Sequence, residues 1–225
     1  MKREMGLLGL GCVLPALGCN VHMAAPSDVA QASEVLLVAD RSRVSGALAN
    51  ESFKMGSFEV TDVNRDWNSG TALTTGPYSR EEANGGYAFK FKAGGKVLLA
   101  GCASKSANNA VGLGGGMSLN FGYEGLRCTC GTDAEVSVKA SLNRSYKGTM
   151  KLGSAEHAVT SVHELEGGAS TGDPAGYRVD GGGALGAVDV LYPGKVWLKK
   201  GMAEADRAAM SCLFAGLMLY QPPRR

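Results

Sequence analysis

Apolar and polar residues alternate with a period of two through most of this chain, and the alternation stops near residue 202. In GYAFKFK, Tyr87, Phe89 and Phe91 alternate with Ala88, Lys90 and Lys92, the pattern of a strand buried on one face. KVLLAGC (96–102) follows directly after AGG, so these two segments read as a hairpin. MSLNFGY places Met117, Leu119, Phe121 and Tyr123 on one face, and EVSVKASL does the same with Val136, Val138, Ala140 and Leu142. Further segments are EVLLVA (34–39), SFEVTDV (57–63), GTMKLG (148–153), a stretch around 156–165, GYRV (176–179), LGAVDVLY (185–192) and KVWLK (195–199). Together they predict about ten or eleven short strands. GLGGG, GDPAG and GGG lie between them, the turn chemistry of an antiparallel all-β fold.

The end of the chain is built differently. MAEADRAAMSCLFAGLMLY carries Glu204 and Asp206 where the dipole of a helix start favours negative charge. It is rich in Ala, Met and Leu and stops before Pro222 and Pro223, so a helix is expected over 203–219. Its second half has no polar stripe, which means enclosure on all sides. The charge-free run from Ala208 to Tyr220 is too short for a bilayer, which requires about 20 apolar residues. The enclosing material must then be sheet. The expected fold is all-β with one C-terminal helix, an antiparallel closed or nearly closed β-barrel around a buried hydrophobic helix. The alternative is a β-sandwich capped by that helix.

GYRVDGGGALGAVDVLYPGKVWLK followed by DRAAMSCLFAGLMLY resembles the tubby-like superfamily, with its LURP-one-related and scramblase-like members. The resemblance implies a barrel threaded by its last helix and, for some members, phosphoinositide or phospholipid binding. No basic motif here matches the lipid-headgroup residues of that family.

The leader MKREMGLLGLGCVLPALGCN has Lys2 and Arg3, then an uncharged run from Met5 to Leu17, then small residues, as in a secretory signal peptide. PALGC resembles a bacterial lipobox, with Ala16 where Leu is commonest and Leu17 where a small residue is usual. On this reading residues 1–18 are cleaved, and Cys19 becomes the first mature residue and carries acyl chains such as palmitate. Residues 19–33 then form a lipidated Cys and flexible tether, and 34–225 a single domain. Two or three chains anchor firmly at about 0.8 kcal/mol per buried CH₂. The expected location is the cell envelope, facing periplasm or cell surface, with Asn20 favouring the outer membrane.

Export changes the chemistry of the remaining cysteines. Cys128 and Cys130 share a strand face, and a disulfide from Cys102 to one or the other is expected, while Cys212 reads as a buried free thiol. The spacing offers no zinc site.

The 225 residues carry a net charge of +2, which leaves no footprint for nucleic acid, and 33 Gly, which implies many tight turns. DVNRDWNSG (62–70) alternates Asp62, Asn64, Asp66 and Asn68, but Trp67 stands where a calcium loop needs Gly, so it reads as a strand end entering a turn. His157 and His163 would lie about 20 Å apart on one strand, too far for one metal, and with Glu164 and Glu166 they read as a solvated edge. There is no G-x-S-x-G serine, and no carboxylate pair stands out. No catalytic residue, metal or cofactor is therefore assigned. The expectation is a non-enzymatic structural or interaction module held at a membrane by its lipid, with another envelope protein or phospholipid as partner. The alternatives are a phospholipid- or ligand-binding module of the periplasm and an envelope hydrolase using carboxylates or His163.

Overall fold

A computed structural model describes residues 21–42, 51–115, 117–140 and 144–220. Twelve strands follow a short helix α1 (Ser27–Ala32): β1 (Ser33–Ala39), β2 (Glu51–Met55), β3 (Phe58–Thr75), β4 (Tyr78–Ala93), β5 (Lys96–Gly114), β6 (Met117–Cys130), β7 (Ala134–Ala140), β8 (Tyr146–Leu152), β9 (Ala155–Val162), β10 (Gly176–Asp180), β11 (Ala184–Asp189) and β12 (Lys195–Lys199). Helix α2 (Glu204–Leu219) ends the order. Each strand pairs antiparallel with its sequence neighbours, and β1 closes the wall against β12 through pairs such as Val35 with Trp197. The wall is a closed barrel.

Alternation puts one face of each strand inward. Phe53, Met55, Phe58, Val60, Phe89, Phe91, Val136, Val138, Met150, Val159 and Val179 are all buried there. At about 25 cal/mol per Å² of apolar surface, each such Phe or Val contributes roughly 1.5–3 kcal/mol. They close on α2, whose residues Met210 to Leu219 are buried without interruption and which touches β3, β5, β6, β7, β8, β11 and β12. Neighbours all round the wall put the helix in the lumen, which is why it has no polar stripe. Sixteen residues give it a length of about 24 Å.

A helix end sealed in apolar surroundings leaves carbonyls that water cannot reach. Here side chains from the wall supply the donors. Arg41 Nη2 donates to the Met218 carbonyl at 2.6 Å, while its Nη1 reaches the Val190 carbonyl at 3.0 Å. Arg65 Nη1 donates to the Leu219 carbonyl at 2.9 Å and its Nη2 bonds Glu51 at 2.8 Å. The Tyr87 hydroxyl donates to the Gly216 carbonyl at 2.6 Å. Two cations at the negative end of the dipole also favour the helix electrostatically. Gly216 matters for a second reason. A Cβ there would lie 3.0 Å from the Cys128 sulfur and 3.1 Å from that of Cys102, so any side chain would require the disulfide or the helix to shift by a few tenths of an ångström.

One expectation is corrected here. The segment 19–33 does not behave as a tether over its described part. Met23 is wholly buried and bridges to Leu165, and α1 lays Val29 on the outer wall over Ala187 and Trp197. This cover explains why β12 is apolar on both faces. Strand β2 was not anticipated, although Phe53 and Met55 alternate inward within it.

Candidate functional site

Eight strands are five to eight residues long, whereas β3, β4, β5 and β6 have 18, 16, 19 and 14. The excess length projects past the end of the barrel where α2 finishes. Strand β2 pairs with β3 only as far as Val63, and β7 with β6 only from Glu124 on. Beyond those points no other described strand pairs with a four-stranded extension, whose edges are residues 69–75 and 117–123.

The faces of this extension are inverted relative to the barrel. Along β6, Leu126, Cys128 and Cys130 point into the lumen and Arg127 and Thr129 point out. Above Glu124 the parity of apolar residues switches, and Met117, Leu119 and Tyr123 face outward with exposures of 67%, 57% and 47%. Leu113 and Leu73 are exposed on the same outer face. A barrel strand would turn the apolar face of MSLNFGY onto the helix, and here Met117, Leu119 and Tyr123 turn away from it. The helix ends below this level, so an inward apolar face would have nothing to bury against.

The concave face carries carboxylates, a hydroxyl and an amide among small apolar residues. It forms an open hollow of about 280 Å³ lined by Gly70, Ala72, Glu81, Ser106, Asn108 and Glu124, among others. At its floor the Tyr220 hydroxyl bonds the buried Glu124 carboxylate, with Tyr146 on the same group. Burial pushes the Tyr146, Tyr177 and Tyr220 phenols well above their usual range, and the Glu124 charge adds to it. The Tyr146 and Tyr220 phenols stay protonated and donate to Glu124 at the barrel end. On the outer wall the buried Asp189 carboxyl is pushed up by desolvation, against the bond from His22 Nδ1 at 2.9 Å.

The sequence-derived candidates are dispersed. Cys19 lies outside the described residues. Cys102 and Cys128, direct partners across β5 and β6, are joined. Cys130 is joined to Cys212, which corrects the free-thiol expectation: the central helix brings Cys212 against the wall across 82 residues of sequence, a proximity that strand spacing does not reveal. Asp62 sits in a left-handed bulge of β3 and pairs with Lys90 at 2.9 Å, inside a long strand and not at its end. His163 is held by Ser161 at 2.9 Å and the Thr171 carbonyl, away from the hollow, and Glu166 bonds Lys195. Among the described residues no group of three His, Cys, Asp or Glu side chains is placed to hold a metal ion, and no helix is long and apolar enough to cross a membrane. Sequence reasoning missed the extension because its alternation is the same as that of a barrel strand. Only strand length could have revealed it, in the uninterrupted spacing from Lys96 to Gly114. No protein-family model, curated protein or solved structure matches this chain.

Proposed function

We propose that this protein is a non-enzymatic, lipid-anchored interaction module of the bacterial cell envelope, working through the four-stranded extension. The observation that carries this reading is the division of labour in the fold. The lumen is filled by α2, so no ligand can enter it as in a hollow barrel. The extension combines a cluster of exposed apolar side chains, Leu73, Leu113, Met117, Leu119 and Tyr123, with strand edges that no other described strand pairs, the features by which surfaces recruit partners. The tubby-like resemblance draws support from the helix-threaded barrel. The hydrolase alternative gains nothing from His163, which is engaged by Ser161 and the Thr171 carbonyl.

The anchor rests on Cys19 at the close of the leader. Cells fed an alkynyl palmitate are expected to label the parent chain and not the Cys19→Ser chain. A parent chain that takes up no label contradicts the anchored module.

A further inference from the structure

The point where the chain reaches its anchor is fixed by the fold. His22 bonds Asp189, its carbonyl accepts from the Glu166 amide, and Met23 is wholly buried, while Val21 is exposed. Asp189 ends β11, and the next residues, Val190 and Leu191, accept from Arg41, which also caps the last turn of α2. Val21 therefore emerges at the same end of the barrel as the extension. Cys19 is two residues away, a reach of at most about 7 Å. A membrane holding that cysteine faces the extension.

The tip of the extension suits that position. Tyr78, Val111 and Leu119 form one row across the sheet, and Leu113 and Met117 lie beyond it. From this row to the turns, no residue of either hairpin is charged. In the β5–β6 hairpin four residues per strand at about 3.3 Å each make an uncharged tip of roughly 13 Å, while β3 and β4 turn at the row itself, Thr75 with Tyr78. One row below, Leu73 is paired with Arg80, which is in an ion pair with Glu82, and Lys105 lies further down the same outer face. Charges there set the depth. They exclude a full crossing and match a tip that sinks about 5–10 Å, to the boundary of headgroups and acyl chains. Tyr78 sits near that boundary, where an apolar ring with a polar end is at home, while Tyr123 lies lower, in the row of Glu82. Arg80 and Lys105 are offset by Glu81 and Glu82, so anionic headgroups are not required.

We infer that the outer tip of the extension, Leu113, Met117 and Leu119, dips into the apolar region of a phospholipid bilayer, at the end of the barrel from which the chain runs to Cys19. This deepens the reading of the extension as the working surface and rests on it, but the test does not require lipidation.

The test uses the full chain carrying Cys19→Ser, with a reporter indole placed by Leu119→Trp or, as control on the outer wall of the barrel, by Thr129→Trp. Each chain is mixed with phosphatidylcholine vesicles whose acyl chains are brominated or plain. The emission gained at position 119, relative to the chain without the reporter, is expected to shift to the blue and to fall about threefold with brominated lipid, as a depth of 5–10 Å requires. The emission at position 129 stays unchanged. No quenching at 119, or equal quenching at both positions, overturns the inference. A blue shift at 119 without vesicles also overturns it, because it shows another protein chain covering this face. A chain that takes up no palmitate but is quenched at 119 sinks the anchor and leaves the tip intact.

Discussion

Arg41 and Arg65 perform the task that water performs at an exposed helix end. Arg41→Leu leaves the Met218 and Val190 carbonyls without a donor in a sealed site. A loss of about 3 kcal/mol is expected, read as a lower urea midpoint with an unchanged slope; a change below about 0.5 kcal/mol would place those carbonyls in contact with water. Gly216 gives a sharper test because two effects oppose. Gly216→Ala gains about 1 kcal/mol of helix propensity, yet its methyl group meets two disulfide sulfurs at 3.0 and 3.1 Å. A disulfide joining adjacent strands has little freedom to yield, so the variant is expected to melt lower than the parent. A higher melting temperature would mean that the helix does not rest on Cys102 and Cys128.

Elements were legible where alternation meets a single enclosed core. Tyr87, Phe89 and Phe91 of β4 and the helix over Glu204–Leu219 follow from residue pattern alone. Face assignment failed at Met117 to Tyr123, because alternation tells which residues share a face and not which face is inside. The Cys130 to Cys212 bond was hidden for a related reason, since it joins a strand to a helix from the far end of the chain. The burial difference predicts a contrast between two Leu to Asp changes. Leu213→Asp places a charge at a site 1% exposed inside the wall and should abolish cooperative folding, at a cost of several kcal/mol. Leu119→Asp, on the extension, should stay within about 0.5 kcal/mol of the parent. Equal effects on the melting curve would contradict the inversion of faces. Replacing Cys130 and Cys212 together with Ala opens a loop with a sequence separation of 82. A loss of about 4 kcal/mol is expected by chain entropy, measured by urea unfolding under non-reducing conditions.

At the scale of the whole molecule, a filled barrel and an unfilled extension have opposite roles. The barrel holds its helix from every side, while the extension exposes apolar side chains that a folded core would otherwise hide. The sequence pattern reached the first of these through one argument, that an apolar helix too short for a bilayer needs a wall. It could not reach the second, because an overhanging strand and a barrel strand read alike. Everything built on the barrel depends on α2 lying within the closed sheet, and native-state hydrogen exchange examines that directly. Amides of residues 210–219 are expected to exchange only when the whole domain unfolds, with opening free energies equal to the global stability, while the open edge at 117–123 exchanges through local fluctuation. Exchange of 210–219 as fast as that edge would show a helix outside the wall and would contradict the account.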